Sequence, residues 1–174
     1  MSALDFVGNT PLIQLEHVVP PDAGEVWLKY EGANPTGSYK DRMVVAVLRG
    51  LLERGEITPG TRIVEYTGGS TGMSIAWAAG LLGLTFTAIS SSVFEASKIA
   101  SMRAFGAEVL LEDSADGTKN PELFGRMRAR AHELGARPGH HYFDQFAAPD
   151  IRPGYEPMGR EIADTLNEIG RAHV

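Results

Sequence analysis

Two short segments of this 174-residue chain combine side chains and glycines in patterns that could do chemistry. The first, residues 34–42, places Lys40 after a turn and within the first turn of a predicted helix. A cation there faces the positive end of the helix dipole, which costs a few tenths to about 1 kcal/mol. Burial and this dipole would lower the pKa of Lys40 and favour the neutral amine that attacks carbonyl carbons. The competing interpretation is a solvated surface lysine beside Asp41.

The second segment, residues 67–72, reads Thr-Gly-Gly-Ser-Thr-Gly and opens another predicted helix. Its hydroxyls and unobstructed backbone N–H groups could bind a phosphate or a substrate carboxylate, and an ordinary tight turn is the alternative. The spacing fits neither nucleotide motif. A Walker A lysine follows its second glycine directly, whereas two residues separate Gly37 from Lys40, and the dinucleotide fingerprint would need glycine in place of Thr67.

Alternating apolar runs and helical spacings position these two segments. Strands are predicted at residues 25–30, 62–66, 84–90 and 107–112, and each is followed by a predicted helix, at residues 38–52, 71–82, 95–105 and 121–134. Four strand–helix units predict an α/β fold: an open, twisted, mostly parallel sheet with helices on both faces. Because ligands bind beyond the carboxyl ends of such strands, both segments are expected at the ligand site.

The composition limits the class of protein. A formal net charge of −6 and the absence of long Lys/Arg runs give no electrostatic attraction to nucleic acid or to a membrane surface. No stretch approaches the roughly 18 apolar residues of a spanning helix, and residues 1–11 lack the pattern of a secretory signal. The sequence contains no Cys, which fits a reducing compartment. We interpret the chain as cytoplasmic, with no nucleic-acid or membrane partner.

Other polar residues carry no predicted chemistry. The pair His140 and His141 lacks a third ligand at metal spacing, so no metal site is predicted. Glu161 and Asp164 are interpreted as the solvated face of a helix.

Several segments, taken in order, resemble the fold type II pyridoxal-phosphate (PLP) enzymes, and among them the cysteine synthase and cystathionine beta-synthase family. The matching segments are residues 8–12, 34–42, 67–72, 105–109, 144–146 and 159–162. They extend over nearly the whole chain, to about Glu168. The resemblance implies pyridoxal 5'-phosphate as cofactor, held by Lys40 as a Schiff base, and Lys40 as the later base at the substrate Cα.

The resemblance also implies a substrate-binding loop. The substrate carboxylate would meet Thr67, Gly68, Gly69, Ser70 and Thr71, with Gln145 assisting from the other side. Cysteine synthases usually carry Asn at the position of Ser70, where it meets the cofactor ring hydroxyl. Serine is shorter but can still donate a hydrogen bond, so Ser70 is also expected to contact the cofactor, and the subfamily is left open.

The implied reaction is β-replacement on a small amino-acid substrate. An O-activated serine would lose its leaving group, and a sulfide-type nucleophile would add to give cysteine. The alternatives are a serine/threonine dehydratase, a threonine synthase-like lyase, or a non-catalytic α/β fragment. The resemblance implies a homodimer for the complete protein.

A domain division follows from the same resemblance. Residues 1–35 would belong to the large PLP domain, residues 36–146 would form the small α/β domain, and residues 147–168 would begin a truncated large domain. Residues 169–174 no longer resemble the family and match a translated sequencing adapter, so a non-native tail is expected there. Because the family's phosphate-binding loop would come after this point, we expect the 174-residue chain to be weakly active or inactive.

Overall fold

The computed structural model describes residues 2–20, 22 and 24–172, and for residues 169–172 only the helical backbone. The strands are β1 (Leu12–Gln14), β2 (Trp27–Lys29), β3 (Arg62–Tyr66), β4 (Thr85–Ser90), β5 (Glu108–Leu111) and β6 (His140–Tyr142). The α-helices are α1 (Lys40–Glu53), α2 (Ser70–Leu81), α3 (Ala96–Ala104), α4 (Pro121–Gly135) and α5 (Ile151–Ala172). The last two residues of the predicted tail, 173 and 174, lie outside the described residues.

A parallel sheet with the strand order β5-β4-β3-β6 lies at the centre of the fold. On one face, Ile63 and Phe86 pack with Ile75 of α2 in a core that also includes residues of α1 and α3. On the other face, Val64 packs with Leu123 of α4. Full burial of side chains of this size stabilises a fold by about 1.5–3 kcal/mol each. The α/β class, the parallel sheet and the helices on both faces are confirmed.

The prediction for the first strand was partly wrong. Residues 27–29 do form a strand, but β2 pairs antiparallel with β1 in a separate two-stranded sheet, in which Ile13 lies opposite Leu28. The fourth strand of the parallel sheet is β6, which pairs with β3. A strand followed by a helix does not reveal which partner the strand will take, because pairing depends on contacts that are distant in sequence.

Helix α5 crosses α1 closely. A Cβ atom on the buried Gly154 would come within 2.8 Å of the Met43 Cα atom and 3.0 Å of the Arg42 carbonyl oxygen, so this crossing requires glycine. The approach brings Tyr155, the next residue of α5, to the start of α1 and to Lys40. None of the helices in the described part of the chain has the length and apolar composition that crossing a lipid bilayer requires.

Candidate active site

A pocket of about 380 Å³ opens beyond the carboxyl end of β3. Its lining contains every residue that the sequence predicted for the site, namely Lys40, Thr67, Gly68, Gly69, Ser70, Thr71 and Gln145. Three aromatic side chains, Tyr66, Phe124 and Phe146, complete it. The size is within the range of small-molecule sites, and an apolar wall beside a few polar groups is typical of them.

Lys40 is the first residue of α1, as predicted, and the Ser38 hydroxyl accepts its backbone N–H at 3.1 Å. The ammonium lies 3.4 Å from the Tyr155 hydroxyl and 4.6 Å from the centre of the Tyr39 ring. The two tyrosine rings pack with their centres 5.8 Å apart. Lys40 is therefore held between two aromatic side chains.

The expectation of a lowered lysine pKa was wrong. Burial lowers the pKa of Lys40, but the nearby Tyr39 and Tyr155 raise it, and the balance is a pKa above the ordinary value. A hydroxyl oxygen and the negative faces of two rings favour the ammonium over the neutral amine. In the protein without a ligand, Lys40 is thus stabilised in its charged form.

Replacing Tyr155 with phenylalanine tests this cause. The variant keeps the ring but loses the hydroxyl that accepts from Lys40, so the pKa of Lys40 should fall relative to the unmodified protein. Competitive acetylation by trace acetic anhydride across a pH series, with mass spectrometry of each lysine peptide, measures that pKa. Exposed Lys119 is the internal control. A rise or no change in the Lys40 value would contradict the assignment.

The loop before α2 is shaped by a buried threonine and a tightly packed glycine. The Thr67 hydroxyl oxygen accepts the backbone N–H groups of Gly69 at 3.3 Å and Gly72 at 3.2 Å. A Cβ atom at Gly72 would lie 2.3 Å from the Met102 sulfur, so α2 could not approach α3 with any larger residue there. The predicted anion-binding loop of residues 67–72, called the nest below, is thus held in shape by contacts of its own residues and of α3.

This nest leaves hydrogen-bond donors free at the pocket. Among the described residues, the backbone N–H groups of Gly68, Ser70 and Thr71 have no acceptor, and the Ser70 hydroxyl makes no hydrogen bond. Free N–H groups at a helix N-terminus form an anion site. The loop can therefore bind a carboxylate or a phosphate.

Asp41 links the segment of residues 34–42 to α2 through hydrogen bonds, a role that the sequence did not reveal. Its fully buried carboxylate accepts the Thr36 backbone N–H at 2.8 Å, the Thr36 hydroxyl at 2.5 Å and the Ser74 hydroxyl at 2.6 Å. The Ser74 hydroxyl also contacts the Ser70 carbonyl oxygen at 3.0 Å. The two predicted segments are thus joined beneath the pocket by one carboxylate, which fixes Lys40 relative to the nest.

Gln145 reaches the nest from the segment after β6. Its side-chain carbonyl accepts the Thr71 hydroxyl at 2.8 Å, and its amide nitrogen donates to the Tyr66 carbonyl at 2.9 Å. One amide hydrogen remains for a ligand. The expected placement on the far side of the loop agrees with this position, while the role in substrate binding stays a prediction.

Glu65 lies beneath Gln145 and has an unusual ionisation. Burial, with a smaller contribution from the nearby charge of Asp144, raises its pKa to about 7 against the opposing hydrogen bonds from the Gln145 and Tyr66 backbones. The ordinary value is 4.5. Glu65 in turn contributes to raising the pKa of Tyr66 and Tyr142.

Glu65 makes the stability of the protein depend on pH. Because the folded state binds the proton of Glu65 more tightly than the unfolded state, stability from this group is present below pH 4.5 and is lost as the pH rises to about 7. The shift corresponds to about 3 kcal/mol. The Glu65→Gln variant should lose this slope between pH 5 and pH 8 in urea unfolding. Glu122→Gln, at a side chain that is 80% exposed, should keep it. Equal slopes in all three proteins would contradict the assignment.

The interpretation of Glu161 as a solvated side chain was wrong, whereas Asp164 is exposed as predicted. Glu161 accepts two hydrogen bonds of 2.8 Å from Arg42 and lies 2.6 Å from the Lys29 ammonium. Arg42 also bonds Glu31 at 2.7 Å, and the Arg42 side chain is only 3% exposed. These four residues form a mostly buried ion network that joins β2, α1 and α5.

His140 and His141, for which no metal site was predicted, lie on β6. His141 is half-buried, and burial lowers its pKa. Within residues 2–20, 22 and 24–168, no group of three or more His, Cys, Asp or Glu side chains could hold a metal ion.

Comparison with known proteins identifies the family of this chain. The sequence profile of the family described as "Pyridoxal-phosphate dependent enzyme" matches residues 3–174. Cysteine synthase B of Escherichia coli (strain K12) is 38% identical over 151 residues, covering 86% of this chain and 48% of that protein. O-ureido-L-serine synthase of Streptomyces lavendulae is 32% identical over 148 residues, covering 80% of this chain and 45% of that protein. The chain spans about half the length of these relatives.

Solved structures of similar proteins have the same fold as this chain. The crystal structure of an O-ureido-L-serine synthase matches with a TM-score of 0.84 and 31% identity, over 94% of this chain and 50% of that one. O-acetyl serine sulfhydrylase isoform 3 from Entamoeba histolytica matches with a TM-score of 0.83 and 26% identity, over 95% of this chain and 50% of that one.

Proposed function

The chain belongs to the family of pyridoxal-phosphate-dependent enzymes, and from this premise we propose that it serves β-replacement on an O-activated serine to make cysteine. Lys40 is the cofactor lysine in this proposal. One observation carries it: the ammonium of Lys40 and the free donors of the nest line a single pocket. Relatives named cysteine synthase support the substrate class.

The residues present fit the cofactor. Lys40 supplies the amine that can hold an aldehyde, and Ser70 offers a free hydroxyl for a ring oxygen. When bound, PLP supplies an electron sink for negative charge developing at the substrate Cα. Tyr66 and Phe146, whose ring centres lie 6.1 Å apart, give the pocket an aromatic side that suits a planar ring.

The protein's own residues have distinct tasks in this proposal. The N–H groups of Gly68, Ser70 and Thr71 bind the substrate carboxylate, and Gln145 donates its remaining amide hydrogen to it. Lys40 takes the proton from the substrate Cα. The Tyr155 hydroxyl then stabilises the resulting ammonium, because it already accepts from that group at 3.4 Å.

We also propose several features of the complete protein. The family resemblance supports a homodimer, a cytoplasmic location and the division into residues 1–35, 36–146 and 147–168. The net charge of −6 supports the absence of a nucleic-acid or anionic-membrane partner. Sedimentation equilibrium of the complete protein tests the dimer, and a monomer at all concentrations would count against it.

A second candidate differs in the nucleophile. The similarity to O-ureido-L-serine synthase, in both sequence and structure, supports β-replacement by a nucleophile other than sulfide. The aromatic wall formed by Tyr66, Phe124 and Phe146 could accept a nucleophile larger than sulfide.

The assay that tests the proposal supplies PLP, O-acetylserine and sulfide to the chain and quantifies cysteine by mass spectrometry. A small amount of cysteine that requires every component and is absent with Lys40→Ala is the expected result, because the chain spans only about half the length of its relatives. Turnover of O-acetylserine only with a nucleophile other than sulfide would favour the second candidate. Keto acid from serine or threonine alone would instead indicate a dehydratase. No product from any mixture would support a non-catalytic α/β fragment.

A further inference from the structure

Glu65 is a fully buried acid in β3, the strand that pairs with both β4 and β6. Its two carboxylate oxygens have separate partners. One accepts the backbone N–H of Tyr66 at 2.8 Å, and the other accepts the backbone N–H of Gln145 at 2.9 Å. The carboxylate therefore joins the end of its own strand to the segment that follows β6.

The segment after β6, which contains Gln145, depends on a hydrogen-bond partner outside itself. Asp144, directly after the end of β6 and Phe143, has a φ of 53°, a left-handed conformation that few non-glycine residues adopt. Its carboxylate accepts the backbone N–H groups of Phe146 at 3.3 Å and Ala147 at 3.1 Å. The turn thus satisfies its own later donors, whereas the Gln145 N–H points to Glu65.

The Gln145 side chain points to the site. It bonds the Tyr66 carbonyl and the Thr71 hydroxyl, so Gln145 is held at three points, and the backbone one depends on Glu65. An apolar residue in place of Glu65 would leave two partly buried N–H groups without these acceptors. Burying a charge is costly, so an acid at this position needs a reason beyond packing.

We propose that Glu65 is a positioning residue that fixes Gln145 against the nest and so sets the affinity of the pocket for a carboxylate ligand. This inference rests on the proposed function, in which Gln145 helps to bind the substrate carboxylate. Glu65 acts through Gln145 and does not line the pocket itself.

The first test uses the unmodified chain and requires no ligand. Backbone amide NMR shifts are followed from pH 5 to pH 8.5. The amides of Tyr66 and Gln145 should titrate with one shared midpoint near pH 7, because both donate to the carboxylate of Glu65. The amides of Phe146 and Ala147, which donate to Asp144, serve as controls without that midpoint. A Gln145 amide that does not follow Tyr66 would overturn the inference.

The second test measures function with L-serine as the probe. Amide shifts at the nest, measured at pH 8.5 where Glu65 is ionised, report the affinity of L-serine for the chain. Glu65→Gln should weaken this binding about tenfold, as expected for one lost charge-assisted hydrogen bond. Glu122→Gln is the matched control and should bind as the unmodified chain does.

Gln145→Ala separates the inference from the proposed function. If this variant binds L-serine normally, or if the unmodified chain binds none, the proposed carboxylate site fails, and the positioning claim fails with it unless the amide titration supports it. If Gln145→Ala weakens binding but Glu65→Gln does not, only the positioning role is wrong. If Glu65→Gln does not fold, the amide titration of the unmodified chain decides.

Discussion

Reduction with borohydride in the presence of PLP should attach the cofactor to Lys40 and leave the other lysines largely unlabelled. The chain contains only four lysines, Lys29, Lys40, Lys98 and Lys119, so peptide mass spectrometry can quantify every one. Lys40→Ala should lose the label at this position entirely. In any active form of the protein the same variant should lose about 10²–10⁴-fold in rate, the usual contribution of a positioned base.

The raised pKa of Lys40 makes this labelling diagnostic. At neutral pH a lysine with a raised pKa reacts more slowly with a simple aldehyde than an exposed lysine does, because less of it is neutral. Preference for Lys40 can therefore come only from binding of PLP in the pocket. Formaldehyde should modify exposed Lys119 faster than Lys40, and PLP should reverse that order.

A matched control separates the pocket from the lysine. Lys119→Ala removes an exposed amine and should leave labelling of Lys40 unchanged. If PLP and formaldehyde give the same distribution over the lysines, the pocket does not recognise the cofactor and the assignment of Lys40 is wrong.

The sequence indicated the two candidate segments because each of them is local, whereas the roles of Lys40 and of residues 67–71 came from the family resemblance. Residues 67–72 carry glycines and hydroxyls at one strand–helix junction, and Lys40 lies at a helix start, so both signals could be read from short windows. The parallel sheet then brings its strand ends together. Gln145 has no such signal of its own and was found only through the family resemblance.

The residues that support the site could not be predicted in this way. Glu65 contacts Gln145, 80 residues away in sequence, and Lys40 contacts Tyr155, 115 residues away. Nothing in the neighbouring sequence distinguishes a buried acid at the end of a strand from an exposed one. The Lys40 pKa was mispredicted because Tyr39 and Tyr155 raise it, and of these two residues only Tyr39 is close to Lys40 in sequence.

Glu161 was misinterpreted because helical spacing identifies the apolar face of a helix but does not separate buried from exposed charged residues on its other faces. One surface of helix α5 meets the start of α1 through Gly154 and Tyr155. A glutamate beside that surface can pair with a buried arginine of α1, and no sequence pattern separates it from exposed Asp164. The ion network therefore appears only in the folded structure.

Replacing Arg42 with methionine should destabilise the protein by about 3–5 kcal/mol, the usual cost of breaking a buried ion pair. Methionine keeps much of the side-chain length but leaves Glu31 and Glu161 without their main partner. Arg49→Met, about two turns further along α1, is the matched control. Its partner Asp5 is 3.4 Å away and both side chains are nearly half exposed, so a loss of about 0–1 kcal/mol is expected. Urea unfolding measures both.

The dependence of the free energy of unfolding on pH below 4.5 gives a second measurement of the Arg42 network. Hydrogen bonds from Arg42 lower the pKa of Glu161 to about 2, so the stabilisation is present above pH 4.5 and is lost as the pH falls towards 2. Arg42→Met should flatten this acid limb, and Arg49→Met should retain it. A loss similar to that of Arg49→Met, with an unchanged acid limb, would contradict the buried network. Because Arg42 joins the helix of Lys40 to the helix of Tyr155, Arg42→Met should also lower the pKa of Lys40 in the acetylation experiment.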